Sequence, residues 1–440
     1  MQAKVTIIGA GLAGSEAALQ LAKRGIKVDL YEMRPKKETG AHKTDKCAEF
    51  VCSNSLGSSD PTNASGLLKK EMELLGGELI KIAYENSLPA GSALAIDREK
   101  FAEQVTKLIN SNENITVIND EITSIPEGNV IIASGPLTSD SLAHSIKEFT
   151  NSEHLYFFDA IAPIIEKDSI NFDKAFYASR YNKGEASYIN CPMNKEEYEK
   201  FYNFLINAPK IELKEFEKDA KFFESCLPVE VIASRGVDTL RFGPMKPVGL
   251  IDDRTGEKSY AVVQLRQDNS AKTLYNIVGF QTNLKWGAQK ELISLIPSLE
   301  NANIIRYGVM HRNTFINSPK IINATLQSRS RENLFFAGQI TGTEGYTESI
   351  ASGVVAGINM ANYILGNKLN IYPQETMIGA LTNYISNPEH TKFQPINSNW
   401  AIVSEMEMPR HIRKNKKEKN TLLSNRSIET ILDYIKKEGD

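Results

Sequence analysis

Residues Lys4–Glu32 read KVTIIGAGLAGSEAALQLAKRGIKVDLYE, and this stretch decides the fold. Lys4–Ile8 is a short apolar run, predicted to be a buried strand. It enters Gly9-Ala10-Gly11-Leu12-Ala13-Gly14, after which apolar residues recur at helical spacing as far as Lys23. Gly25 closes that helix, and Ile26–Tyr31 forms a second strand ending at Glu32. The unit is βαβ with GxGxxG at the first strand-to-helix turn. Gly9 permits the tight turn, Gly11 lets a pyrophosphate approach the backbone, and Gly14 lets helix and strand pack closely. The helix N-terminus offers unpaired N–H groups and a positive dipole end to phosphates. Glu32 follows Gly14 by 18 residues, close to where a carboxylate grips a ribose hydroxyl. The motif does not choose between FAD and NAD; its place at the start of the chain favours FAD.

Working outward, Asp97–Asn110 is predicted to be helical, with Phe101, Val105, Leu108 and Ile109 on one face. Ile115–Ile118 and Asn129–Ala133 are predicted strands, the latter ending at Ser134-Gly135-Pro136. From about Thr150 to Ile304 aromatic and charged residues interleave, which marks an inserted domain; Lys210–Phe223 is most simply a solvated helix face. Asn333–Ala337 is again a buried strand, followed by Gly338-Gln339-Ile340-Thr341-Gly342-Thr343-Glu344-Gly345-Tyr346 and a small-residue helix from Thr347 to Leu365. This is the expected return half of a nucleotide fold. The predicted class is α/β: a Rossmann-like split FAD-binding domain of glutathione-reductase type, with an inserted α/β domain. The boundaries are 1–149 (first part), 150–304 (insert, on the RNA or substrate side), 305–400 (return part) and 401–440 (basic tail). In that tail, Arg410, Arg413, Lys414, Lys416, Lys417 and Lys419 face a single acid, Glu418. This is a phosphate-contacting patch or simply a solvated terminal helix.

Composition limits the function. The 440 residues carry 51 Lys+Arg and 54 Asp+Glu, a net charge of −3, which excludes a generally basic nucleic-acid coat. Hydrophobic residues make up 41% and charged residues 24%, as in a folded globular chain. No apolar run approaches the ~20 residues of a membrane span. The chain enters a strand at once, so no signal peptide is expected, and four cysteines are too few for a secreted disulfide scaffold. The expectation is a cytoplasmic protein with no membrane and no metal partner.

Four residues separate Cys47 from Cys52, which imitates the redox pair of flavin disulfide reductases. Against that reading, no second GxGxxG and no C-terminal His-Pro pair are found. Cys52 lies in a polar run, Val51-Cys52-Ser53-Asn54-Ser55, expected to start a helix whose dipole favours a thiolate. Cys226 precedes Leu227-Pro228, where proline fixes the backbone. His42 and His311 sit in dense polar contexts.

Several long stretches carry a resemblance. They include GAGLAGSEAA (9–18), HKTDKCAEFVCSNSL (42–56), NVIIASGPLTSD (129–140), CLPVEVIASRG (226–236), DTLRFGPMKPVGL (238–250), NIVGFQTNLKWG (276–287) and LFFAGQITGTEGYTES (334–349). In this order the chain resembles the folate- and FAD-dependent RNA uridine C5-methyltransferases, relatives of the larger flavoproteins that modify tRNA wobble uridines. The resemblance implies that methylenetetrahydrofolate donates a one-carbon unit to N5 of reduced FAD, that the flavin carries it to C5 of a uridine, and that NAD(P)H is the reductant. It places the nucleophile for uracil C6 on Cys226, and the C5-proton acceptor on Cys52. It implies tRNA T-loop uridine-54 as target, with a 23S rRNA uridine as the alternative; a disulfide oxidoreductase using Cys47 and Cys52 is the alternative of another class.

The chemistry is consistent with two thiols. Uracil C5 becomes carbanion-like only after a nucleophile adds at C6, and its proton then needs a base. The enolate oxygen needs a donor, for which Arg235 or Arg241 is a candidate. Cys52 and Cys226 are therefore expected to converge on the flavin. The expected cofactor contacts are Gly9, Gly11, Gly14, Glu32, Gly338, Gly342, Gly345 and Tyr346, the last as a stacking partner for folate. Lys285 and Trp286 are further candidates for RNA or folate. The sequence departs from the family at Cys47, usually aromatic, and at Gly57, usually arginine.

Overall fold

The computed structural model describes residues 3–39, 41–151, 155–160, 162–182, 185–211, 227–252, 254–256, 258–308, 310–390 and 393–439, with backbone alone at 155–160, 310–312 and 438–439. The chain opens with β1 (Lys4–Ile8), α1 (Leu12–Ala22) and β2 (Lys27–Glu32). Then come β3 (Ser55–Ser58), α2 (Ala64–Leu74), α3 (Glu78–Glu85), β4 (Ser87–Leu88), β5 (Ala93–Ile96), α4 (Arg98–Asn110), β6 (Ile115–Asn119), β7 (Asn129–Ile132) and α5 (Asp140–Thr150). The middle of the chain supplies β8 (Leu155–Ala160), β9 (Ile164–Glu166), β10 (Phe176–Ala178), β11 (Tyr188–Met193), α6 (Lys195–Asn207), α7 (Val229–Ser234), α8 (Thr239–Phe242), β12 (Ala261–Gln267), β13 (Leu274–Ile277), α9 (Trp286–Ser294) and β14 (Ile304–Arg306). The last part holds β15 (Met310–Phe315), α10 (Ser318–Ile321), β16 (Leu334–Phe336), α11 (Tyr346–Leu365), α12 (Met377–Ser386), α13 (Arg410–Lys414) and α14 (Lys416–Gly439).

The first sheet has the order β16-β7-β1-β2-β6, and all its pairings are parallel. The strands β7 and β16 and the end of β1 are buried on both faces and read as apolar runs, whereas β2 alternates buried and half-buried residues. Val5, Ile7, Leu30 and Ile131 are all 0% exposed, and burying each such side chain is worth about 1.5–3 kcal/mol. The edge strand β16 comes from the far end of the chain and pairs Leu334 with Val130. Helix α11, which follows β16, lies against α1. A Cβ on Gly353 would come 2.4 Å from the Ala13 carbonyl oxygen, and one on Gly357 would come 2.9 Å from that of Ala17. The small residues of α11 are what allow this approach.

The second sheet is antiparallel, in the order β10-β11-β12-β13-β9-β14, and covers a core of its own that includes Tyr198, Phe201, Val263 and Tyr275. Helix α6 begins in a capping box, with the Asn194 side chain accepting from Glu197 N–H and Glu197 reaching back to Asn194 N–H. Two smaller pieces lie apart from these sheets: the antiparallel ribbon β8–β15 and the three-stranded sheet β3-β5-β4. The basic C-terminal segment is helical. α14 docks on the first unit, where Asn420 donates to the Thr62 carbonyl at 3.1 Å and the Ser427 hydroxyl donates to Glu71. Of its six basic residues, all but the half-buried Lys419 are exposed.

Candidate functional site

The mouth of the parallel sheet opens into a cleft of about 980 Å³, lined by Gly9, Gly11, Glu32, Arg34, Gly135 and Gly338 among others. Gly9 has φ +102°, and a Cβ there would meet the Ala133 carbonyl oxygen at 2.6 Å. Gly14 lines no cleft; a Cβ on it would fall 1.9 Å from the Gly9 carbonyl oxygen, so it is a packing residue. Gly11, at the N-cap of α1, differs from both: a Cβ there would meet no protein atom within 4 Å and would project into open space. No side chain caps this helix start, so its N–H groups are available to an anion. The turn is thus a cradle that a Cβ would fill, as a bound pyrophosphate requires.

Glu32 is 7% exposed at the end of β2. Its Oε2 accepts from Ala10 N–H at 3.1 Å, and its Oε1 accepts from Arg34 N–H at 3.2 Å and Arg34 Nε at 2.9 Å. Burial pushes this carboxyl up, but the bonds and charge of Arg34 and the Ala10 amide outweigh it and hold the group below its ordinary value. Four lone-pair sites against three donors leave room for one ribose hydroxyl. Arg34 was not foreseen from sequence. It also bonds the Thr44 carbonyl and Glu49, tying the 39–49 segment to the cleft. His42 lies on the same wall, its Nδ1 2.7 Å from Thr39 Oγ1.

A second cleft of about 1300 Å³ adjoins the first, and the two share Val51, Pro136, Leu137, Gln339 and Tyr346. Cys52, Gly57, Gly345 and Glu348 line this one. Tyr346 accepts from Cys52 N–H at 2.7 Å, and its ring meets Phe50 edge-on, with centroids 4.5 Å apart. Burial, followed by the neighbouring Cys52, pushes the Tyr346 phenol well above its ordinary value, so it stays protonated. Cys52 does not start a helix, contrary to the expectation above: it sits in the loop that leads into β3, and no helix dipole acts along it. Its environment is set by side chains instead. Gly338 (φ +81°) lines the first cleft and Gly345 (φ +115°) the second, whereas Gly342 lines neither and packs where a Cβ would strike the Phe393 ring at 2.5 Å. At Gly57 (φ +75°) a Cβ would approach Ser65 Oγ to 2.6 Å, so a larger residue there must displace Ser65.

Cys47 is placed differently. It is 4% exposed, lines neither cleft, and donates its N–H to Thr106 Oγ1 at 2.9 Å. Burial, reinforced by the Glu32 charge, pushes its thiol up to about 11. Cys47 and Cys52 are not disulfide-bonded, and a sealed, protonated thiol is a poor half of a redox pair. Cys226 lies outside the described residues, as does its convergence on Cys52. The described residues on either side of it are tied to one stretch between β13 and α9: Ile211 N–H donates to the Asn283 carbonyl at 2.9 Å and Val229 N–H to that of Gln281 at 2.7 Å. Arg241 is held by Asp238 and the Tyr260 carbonyl and lines neither cleft, so it does not reach an enolate there. Among the described residues no group of three or more His, Cys, Asp or Glu could hold a metal ion, and no helix is long and apolar enough to cross a membrane.

The class follows from the sheet: a parallel, Rossmann-like nucleotide fold whose last strand arrives from the far end of the chain, with an antiparallel α/β unit between the halves. The chain belongs to the GIDA family (Glucose inhibited division protein A), whose profile matches residues 4–368. It is 59% identical over 436 residues to the Methylenetetrahydrofolate--tRNA-(uracil-5-)-methyltransferase TrmFO of Anoxybacillus flavithermus, covering 99% of this chain and 100% of that one. It is also 59% identical over 430 residues to the protein of the same name from Bacillus subtilis, covering 98% of each. Among solved structures, GidA of Aquifex aeolicus in its form II crystal shares the fold, with a TM-score of 0.69 at 17% identity over 99% of this chain and 76% of that one.

Proposed function

We propose that the chain is a methylenetetrahydrofolate-dependent tRNA (uracil-5-)-methyltransferase that holds FAD in the first cleft and presents folate and uridine in the second. The observation that carries this reading is that the two clefts share the Tyr346 wall, with Cys52 on the second. When bound, FAD supplies the ring that relays the one-carbon unit from folate, with NAD(P)H as the source of reducing equivalents. The Gly9–Gly14 turn holds the pyrophosphate and Glu32 the ribose. Gly338 and Gly345 let the return loop approach the ring, and Tyr346 offers it an aromatic face. The thiolate of Cys226 adds to C6 of the uracil, which places the electron pair on C5 and the conjugated oxygen. C5 then forms its bond to the incoming methylene carbon, Cys52 accepts the C5 proton, and the C6–S bond breaks as the ring recovers its double bond; the carbon's bond to its carrier is then cleaved with two electrons that trace to NAD(P)H, leaving a methyl on C5. The uridine must leave its stack for its C5 and C6 to be reached. The 150–304 unit is the RNA side in this reading. It exposes Trp286 (61%), stacked on Tyr307 at 5.4 Å, a platform of the kind on which bases stack.

The test is incubation with tRNA and with 23S rRNA, each lacking 5-methyluridine, together with methylenetetrahydrofolate, FAD and NAD(P)H, followed by mass spectrometry of nucleoside digests. The reading expects 5-methyluridine in tRNA, dependent on folate. Product in rRNA alone overturns the target, and product in neither overturns the activity.

A further inference from the structure

Behind the Cys52 loop the structure buries an excess of positive charge. Arg98, the first residue of α4, is 9% exposed. Its Nη2 meets Asp268 Oδ1 at 2.6 Å, while its Nε and Nη1 are buried with no hydrogen-bond partner among the described residues. Two orphaned guanidinium nitrogens, carrying three N–H groups between them, are costly unless an acceptor is near.

The backbone brings Arg98 to the thiol loop. Ile96 N–H donates to the Asn54 carbonyl at 2.8 Å, and the Asn54 amide returns to the Ile96 carbonyl at 3.1 Å. Thus the residue two after Cys52 is laced to the residue two before Arg98. Arg266 from β12 bonds Asn54 Oδ1 at 3.0 Å, and Arg306 from β14 bonds the Val51 carbonyl at 2.8 Å. Two guanidinium groups therefore hold the 51–54 loop, and a third, that of Arg98, follows two residues after the backbone position laced to Asn54. The charged and titratable groups opposite them are Asp268, already paired with Arg98, Glu49 facing Arg306, Tyr188 facing Arg266, and Tyr346 and Glu348 on α11. On the α2 side stands Lys69, whose ammonium is taken up by Leu56 and Ser65. Glu348 is occupied by Ser398, whose N–H and hydroxyl donate to it at 2.9 and 2.5 Å. Burial works against charge on Arg98, but Asp268, Tyr346 and Cys52 more than offset it, so the guanidinium stays charged and within electrostatic reach of the thiol.

We propose that Arg98 is a positioning residue that keeps Cys52 as a thiolate, its proton released to solvent, so that the cysteine meets the uridine ready to accept the C5 proton. This rests on Cys52 being the base. The competing role for Arg98 is a clamp between units, since its neighbour Asp97 also accepts from Ser270 N–H at 2.9 Å.

Peptide-resolved alkylation of the FAD-loaded protein by iodoacetamide, followed from pH 5 to 10, separates the two. The wild-type Cys52 midpoint is expected below the ~8.5 of an ordinary cysteine. Arg98→Met should raise it by about one unit, slowing alkylation near pH 7 about tenfold, and Arg98→Lys should restore most of the rate. Because Arg98→Met strands Asp268, the double variant R98M/D268N is measured beside it, with thermal stability as the structural readout. A wild-type midpoint at or above that of ordinary cysteine overturns the proposal with no variant needed. So does a folded R98M/D268N protein with a lowered Tm and an unshifted Cys52 profile, which is the clamp result. The premise is tested apart: a Cys52→Ala protein that still methylates tRNA removes the base while leaving the alkylation profile untouched.

Discussion

The two clefts are built from different materials. The first is made of backbone: a turn with no room for side chains at Gly9 and Gly14, a helix start, and a carboxylate at Glu32 locked by Arg34. The second is lined by side chains from separate parts of the chain, Cys52, Ser65, Asn313 and Tyr346 among them, with Arg98 and Arg306 behind the Cys52 loop. A backbone site depends first on steric fit, and the carboxylate at the end of β2, Glu32, is paired with Arg34. A side-chain site depends on protonation, because its groups shift one another. This division predicts which changes disturb shape and which disturb charge.

The largest effect is expected at the turn. Gly14→Ala forces a Cβ to 1.9 Å from the Gly9 carbonyl oxygen and should cost both folding yield and bound flavin. Gly11→Ala touches no protein atom, so it should keep the wild-type Tm while flavin absorbance on the purified protein falls sharply. Equal loss of stability in both variants breaks the contrast between packing and cradle.

A smaller effect lies behind the clefts, at Glu71. This fully buried carboxyl accepts from Met377 N–H and Ile378 N–H, both at 2.7 Å, at the start of α12. Burial raises it from 4.5 to about 7. A raised carboxyl binds its proton more tightly folded than unfolded, so its contribution is complete below pH 4.5 and is lost as pH rises through about 7. The shift corresponds to about 3 kcal/mol. The Tm gap between wild type and Glu71→Gln should therefore narrow from pH 5 to pH 8; a constant gap contradicts it.

The smallest effect is expected at Lys69, which burial lowers to about 8. The Leu56 carbonyl it contacts also accepts from Ser65 and Thr347, so Lys69→Met leaves no buried acceptor without a donor. The cost should be about 1 kcal/mol or less at pH 7. It should grow from pH 8 to pH 10, because a depressed lysine regains its contribution as it deprotonates.

The first cleft was legible in the sequence because its determinants are local. GxGxxG, the following helix and Glu32 lie within 29 residues, and each is dictated by sterics or by strand periodicity. Gly342 shows the limit: its glycine accommodates Phe393, a contact no spacing reveals. The second cleft was legible only in part. Cys52 was named through resemblance and Tyr346 through its place in the glycine-rich return loop, but the hydrogen bond between them joins positions 294 apart. Arg98 carried no signal, because its partner Asp268 stands 170 residues away. The expected helix start at Cys52 failed because Val51–Ser55 instead leads into β3, where Asn54 is paired to Ile96.

Position in the second cleft, not spacing in the sequence, is expected to make a cysteine of this chain chemically active. The direct measurement is 5-methyluridine formed on unmethylated tRNA by FAD-saturated Cys47→Ala and Cys52→Ala proteins side by side. Cys47→Ala should remain within about threefold of wild type, and Cys52→Ala should fall by about 10²–10⁴, as expected for loss of a positioned base. Activity that survives in Cys52→Ala but disappears in Cys47→Ala would contradict the account.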